Sequence, residues 1–85
     1  MNEIQFGKCC HALGIGDENG AYRNYYNSGY EPDKDLDELV ERKLVHKSDR
    51  GKEMGGIFYT LSEKGIEFMS TALRRNIKEE LNRYS

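Results

Sequence analysis

The feature that most constrains this chain is an apolar stripe near its end, where Ile66, Met69, Leu73, Ile77, Leu81 and Tyr84 recur at steps of three and four with Phe68 and Ala72 beside them. Such spacing places these side chains on one face of a helix of about five turns, and that face must be covered. Ser62 stands where an N-cap is needed, and Glu63 puts a negative charge in the first turn, where the helix dipole favours it. A helix of that length would extend roughly 30 Å, more than a small core can cover. The chain has 85 residues, enough for one domain with one core. The stripe Leu73, Ile77, Leu81 and Tyr84 is therefore expected to form a homodimer interface between closing helices, unless the first helix folds back to cover it.

Directly upstream, Ile57, Tyr59 and Leu61 alternate with Phe58 and Thr60, the period of a half-buried strand with the first three inward. A partner strand over 44–48 and a polar turn over 49–56 complete a hairpin. Leu36, Leu39 and Val40 form the stripe of a helix over 33–43, with Asp35 and Glu38 at the capping-box spacing. A first helix is expected over 2–13, with Phe6, Cys9 or Cys10, and Leu13 on its buried face. Gly14 and Gly16 stop it, and Asn19-Gly20 supplies a turn signal. Tyr22, Tyr25 and Tyr26 would share one side of a short second helix over 21–29, ended by Gly29 and followed by a turn that Pro32 fixes. The expected class is α+β, a single domain over 1–85 with three N-terminal helical segments, a two-stranded hairpin and a long closing helix.

Between Leu39 and Gly65 the sequence resembles winged-helix transcriptional regulators of the MarR-like and PadR-like kind. The resemblance rests on Leu39-Val40, then Leu44-Val45, a basic glycine-rich turn, and Tyr59-Thr60-Leu61-Ser62-Glu63-Lys64-Gly65. It implies the end of a recognition helix, two wing strands flanking a wing, and the start of the next helix, over about a third of the chain. The layout, with Tyr22-Arg23-Asn24-Tyr25-Tyr26-Asn27 after a glycine-rich loop, also looks like small proteins carried by phages and prophages, which implies a bacterial or phage setting. Two departures stand out: a typical regulator has a well-formed helix pair before its recognition helix, and this recognition helix would open on Glu31, Asp33, Asp35, Asp37 and Glu38 against Lys34 alone. Carboxylates there would repel DNA phosphates.

Formal net charge is -2, so the whole molecule exerts no general attraction on a polyanion. Locally the balance reverses. Arg42, Lys43, Lys47, Arg50 and Lys52 are opposed between Arg42 and Lys52 only by Asp49, a local charge of about +4. These five are the expected nucleic-acid-binding residues, the hairpin presenting Lys47, Arg50 and Lys52 to double-stranded DNA; the plainer reading is a solvated turn. A host protein is the alternative partner, suggested by the acidic helix and by Tyr22, Tyr25, Tyr26 and Tyr30, of which at least two are expected to pack into the core.

Other chemistry finds little support. Cys9 and Cys10 are adjacent and poorly placed for a disulfide, and a metal at Cys9, Cys10 and His11 would lack convergent ligands, since the one other histidine is His46. Gly14, Gly16 and Gly20 miss the dinucleotide-loop spacing, and Asp17 with Asn19 fails as a calcium loop. No triad or carboxylate pair can be assembled, so a non-enzymatic protein with no cofactor is expected. The N-terminus lacks a signal-peptide pattern and no apolar run approaches the ~20 residues that span a bilayer. A cytoplasmic protein with no membrane partner is the expectation.

Overall fold

A computed structural model describes residues 1–16 and 20–83, and the turn signal and calcium-type reading at Asp17 to Asn19, like Tyr84, fall outside them. In chain order the described residues form α1 (Glu3–Leu13), β1 (Tyr26–Gly29), α2 (Lys34–Glu41), β2 (Val45–Asp49), a 3-10 turn (Lys52–Met54), β3 (Ile57–Leu61), α3 (Glu63–Leu73) and α4 (Ile77–Arg83). The class is α+β, with one antiparallel sheet in the order β1-β3-β2.

Helix α1 begins with a reciprocal cap. Asn2 Oδ1 accepts from the Gln5 N–H at 2.8 Å while Gln5 Oε1 accepts from the Asn2 N–H at 2.9 Å, satisfying two donors that an exposed first turn leaves open. Its buried face is Gln5, Cys9, Ala12 and Leu13, with Phe6 and Cys10 half-buried beside it. The buried Gln5 amide donates to the Asp35 carbonyl at 3.2 Å, tying α1 to α2. Helix α2 is capped by Asp33, whose Oδ1 accepts from the Leu36 N–H at 3.0 Å, in place of the expected Asp35 and Glu38 pair.

The hairpin has the expected alternation. Ile57, Tyr59 and Leu61 point into the core and Phe58 and Thr60 point away. β2 pairs with β3 from Val45 opposite Leu61 to Asp49 opposite Ile57, so Asp49 belongs to the strand and the tip is 50–56. The tip closes on its own backbone: the Arg50 N–H donates to Gly56 O and the Gly56 N–H to Gly51 O, both at 2.8 Å.

Two expectations fail. The segment 21–29 is extended, and its end is strand β1, which adds to β3 with Tyr26 opposite Tyr59. The asparagines decide this. Asn24 acts as a substitute strand residue, its amide donating to Leu61 O at 3.0 Å and accepting from the Leu61 N–H at 2.8 Å. The hairpin thus gains a third strand, and among the described residues two helices precede it, not three.

The closing helix is also broken. Arg74 takes a left-handed conformation, φ 54, and ends α3 with its N–H on the Ser70 and Thr71 carbonyls. Asn76 then starts α4 by accepting from the Glu79 N–H at 3.1 Å, and the Ser70 hydroxyl accepts from the Ile77 N–H at 3.2 Å. The polar run Arg74-Arg75-Asn76 turns the chain back on itself, and Ile77 becomes fully buried in the same core as Met69 and Leu13.

The joint between hairpin and α3 explains the Ser62 to Gly65 sequence. Ser62 Oγ donates to Lys43 O at 2.7 Å and accepts from the Gly65 N–H at 3.1 Å, while its own N–H reaches Leu44 O at 2.9 Å. A Cβ at Gly65 would lie 2.1 Å from that same Leu44 carbonyl. Gly65→Ala is therefore expected to lose about 2 kcal/mol by overpacking, a fall in Tm of roughly 10 °C in thermal denaturation. Arg74→Gly is expected to gain about 0.5 to 1 kcal/mol by relieving the left-handed backbone. Chemical denaturation reads the sign, which would be opposite for a residue inside a continuous helix.

Candidate nucleic-acid interface

The five cations singled out from the sequence divide into two groups. Lys47 lies opposite the inward Tyr59 in the register, so its side chain leaves the sheet on the α2 side. There its Nζ meets Asp37 Oδ1 at 2.9 Å and sits 5.7 Å from the Tyr59 ring centre. Arg42 pairs with Glu38 one turn back at 3.2 Å. Both serve α2. Lys43, Arg50 and Lys52 are exposed, and among the described residues no carboxylate lies within ion-pair distance of them. Arg50 instead lies over the Phe58 ring at 4.7 Å, and Lys52 is in the 3-10 turn at the tip. Glu53 follows Lys52 directly and lowers the charge of the tip.

The acids of α2 are likewise engaged. Lys8 on α1 bridges Asp33 at 2.6 Å and Asp35 at 2.9 Å. Partial burial of Asp33 would by itself raise its pKa, but the Lys8 ammonium and the Leu36 N–H outweigh it and hold the carboxyl below its ordinary value. Asp37 shows the same balance, with desolvation opposed by the Tyr59 hydroxyl and Lys47, and its net direction is also downward. The Lys8 ammonium is pushed well above its usual range, first by its hydrogen bond to Asp33.

A surface that sequence reasoning missed lies on the side of the sheet away from the helices. The register places His46, Ser48, Asn27, Phe58 and Thr60 there, with no carboxylate among them. Tyr25, held by Asn24 on one side and by its own N–H to Ala12 O at 3.0 Å, lays its ring edge-on to Phe58 with centroids 6.3 Å apart. Arg23 lies 5.3 Å from the Tyr25 ring centre and 5.5 Å from that of Tyr22, its guanidinium fixed by two hydrogen bonds to His11 O at the end of α1. The result is a continuous row, Tyr22, Arg23, Tyr25, Phe58, Arg50. The expectation that at least two of the four clustered tyrosines pack inward is corrected: Tyr22, Tyr25 and Tyr30 are exposed, and Tyr26 alone of them packs against the core. The signal was present in Tyr22-Arg23-Asn24-Tyr25, but read with a helical period it pointed to the wrong face.

The stripe assigned to a dimer interface is largely consumed within the chain. Ile77 is fully buried, and Leu73 and Leu81 pack half-buried against the same core. Glu80 fastens α4 by accepting the Ala21 N–H at 2.9 Å and the Arg75 Nε–H at 3.0 Å, and the Arg75 guanidinium holds its carboxyl below the usual value. Between α3 and α4 runs an open groove of about 750 Å³, lined by residues of both signs including Glu63, Glu67, Arg74 and Lys78. Cys9 is fully buried, and burial, with Cys10 beside it, pushes its thiol up to about 11. Among the described residues no cluster of three metal-ligating side chains occurs, and no helix is long and apolar enough to cross a membrane.

Comparison of the chain with protein-family models, with curated proteins and with solved structures finds no match.

The depressed carboxyls give a pH dependence with a defined sign. A carboxyl whose folded pKa is below its unfolded value adds stability above the unfolded value, near pH 4, and that stability is lost as pH falls through the folded value. Stability should therefore be steady near neutrality and fall below about pH 4, as Asp33, Asp37 and Glu80 take up protons. Lys8→Met should cost about 1 kcal/mol at pH 7, a partly exposed pair being screened, and should flatten the acid limb of ΔG against pH in urea titrations.

Proposed function

We propose that the chain is a small winged-helix-like module that binds nucleic acid through its hairpin, as the resemblance to bacterial and phage regulators implies. The observation that carries the reading is the sorting of charge: the acids at the start of α2 are held by Lys8, Lys47 and the Tyr59 hydroxyl, while Arg50, Lys52 and Lys43 face solvent without a carboxylate partner among the described residues. A strand order of β1-β3-β2, with the β2–β3 hairpin placed between α2 and α3, supports the winged-helix layout.

In this reading α2 does not insert into the major groove. Its exposed acids Glu38 and Glu41 would face the phosphates. Contact falls instead to the tip, where Arg50 and Lys52 meet the backbone of duplex DNA and Lys43 adds a further cation at the end of α2. Lys47 and Arg42 have a structural role, tying α2 to the hairpin and to itself. A regulator is the role that the resemblance suggests.

A protein-interaction module on the same fold is the second reading, favoured by the exposure of Tyr22, Tyr25 and Tyr30 beside an arginine, the residue types that dominate interface energetics. A homodimer would need a surface other than Leu73, Ile77 and Leu81, which the monomer already covers.

With two or three phosphate contacts, log K for a generic duplex should fall against log salt concentration with a slope of about -2 to -3. Each of Lys43→Glu, Arg50→Glu and Lys52→Glu should reduce that slope by about 1 and leave Tm unchanged. Lys47→Glu should lower Tm, because it sets a carboxylate against Asp37. No duplex binding at 20 to 50 mM salt, measured by fluorescence anisotropy, would remove this reading.

A further inference from the structure

We propose that the open face of the sheet is a stacking platform for the unpaired bases of a single-stranded nucleic acid, which deepens and rests on the nucleic-acid reading above. The row Tyr22, Arg23, Tyr25, Phe58, Arg50 interleaves three aromatic rings with two guanidinium groups at centre-to-centre steps between 4.7 and 6.3 Å. Every base has a π face and every nucleotide a negative phosphate, so a row of this kind complements a single strand in both shape and charge. A duplex hides its base faces in the stack and can use only the cations.

Burial argues in the same direction. Tyr25 is 48% exposed and Tyr22 46% exposed, in a domain whose core is small enough that large rings are needed inside. Each ring keeps an open side while its position is fixed: Tyr22 lies against Gly14, where there is no room for a Cβ, and Tyr25 lies edge-on to Phe58. Asn24 is bonded twice to the Leu61 backbone, Tyr25 N–H to Ala12 O and Tyr22 N–H to Leu13 O, so the two rings project from a backbone pinned on both sides. A preorganised aromatic surface loses little freedom when a ligand stacks on it.

The cations fit the same ligand. Arg23 is fixed by the carbonyl of His11, and Arg50 is braced by the Phe58 ring, so neither has its charge cancelled by a carboxylate among the described residues. His46 and Ser48, on the same face, offer hydrogen bonds to base edges or sugars, while the Asn27 amide is held by the Gly55 and Ile57 carbonyls. A base takes the exposed side of Tyr25 between the two guanidinium groups, and the next stacks on the Arg50 plane above Phe58. The phosphates on either side then lie near Arg23 and Arg50.

The experiment uses the full chain, a fluorescein-labelled oligothymidine of fifteen nucleotides, a labelled duplex of the same length, and poly-glutamate as an anionic polypeptide competitor, all at low salt. The single strand is expected to bind at least as tightly as the duplex, with Tyr25→Ala and Tyr22→Ala each weakening it roughly ten-fold and leaving the duplex unaffected. Tyr25→Phe should retain binding, because stacking needs the ring and not the hydroxyl, and Ile4→Ala, exposed on α1 behind the sheet, should have no effect. Circular dichroism and Tm confirm that each variant is folded. Duplex binding that survives while the single strand binds weakly and ignores Tyr25→Ala overturns the platform but leaves the hairpin reading intact. Absence of binding to either nucleic acid overturns both. Displacement by poly-glutamate at equal charge concentration, as effective as by unlabelled strand, assigns the face to an acidic protein partner and overturns the proposal.

Discussion

The hydroxyl of Tyr59 is where the sheet and the helical layer are joined. The ring lies in the middle strand, almost wholly buried, and its oxygen donates to Asp37 Oδ1 at 2.7 Å while accepting from the Asp33 N–H at 2.9 Å. A phenol placed in an apolar interior needs both partners, or burial of its polar end would be costly. Meeting that need fixes the start of α2 over the centre of the sheet. From there the arrangement spreads outward: Asp33 caps α2 and takes Lys8 from α1, and Asp37 takes Lys47 from β2. A domain of this size, with few apolar residues to bury, is locked by a short polar chain that joins four elements, α1, α2, β2 and β3.

At the opposite end of α2 a second joint does comparable service. Ser62 links Lys43 and Leu44, just before β2, to the first turn of α3, and Gly65 lets the Leu44 carbonyl approach within a distance that no side chain would allow. Together the two joints hold α2 and the hairpin as one unit, with α1, α3 and α4 packed on one side of the sheet. The other side remains open. Its occupancy by aromatic rings and guanidinium groups follows from the register, since residues that face away from Tyr59 and Leu61 have no helix to meet.

How much of this was legible in the sequence depended on whether the deciding contact was local. The first helix, the acidic second helix, the alternation of Ile57, Tyr59 and Leu61, and the Ser62 cap all rest on neighbours a few residues away, and all appear as expected. The strand at 26–29 did not show itself, because what makes it a strand is Asn24 bonding to Leu61, 37 residues distant. Tyrosines three apart satisfy a helical period equally well. The break at Arg74 escaped for a related reason: the stripe from Ile66 to Leu81 keeps its spacing through the turn, and only the folding back of Ile77 into the core rewards the left-handed residue. Of the candidate site residues, Arg50, Lys52 and Lys43 are exposed, whereas Lys47 is paired with Asp37 on the α2 side of the sheet. Strand parity decides that difference, and it could have been read from Tyr59 once the pairing register was known.

Charge sorting is what would let a molecule of net charge -2 take the polyanionic ligand proposed above. Net charge governs the field many ångströms away, and there salt screens it within about 8 to 10 Å. At contact the local arrangement matters more. Lys8 and Lys47 neutralise acids of α2 that would otherwise oppose an approaching phosphate, and Arg75 does the same for Glu80 at the far end. The remaining exposed acids of α2, Glu38 and Glu41, are on the helix, whereas Arg23 and Arg50 are on the open face of the sheet and Lys52 is at the hairpin tip. A negative strand arriving at that face, as proposed, would meet cations and rings first. In that proposal the acids on the helical side would discourage binding in other orientations, so the overall negative charge would help to define the face used.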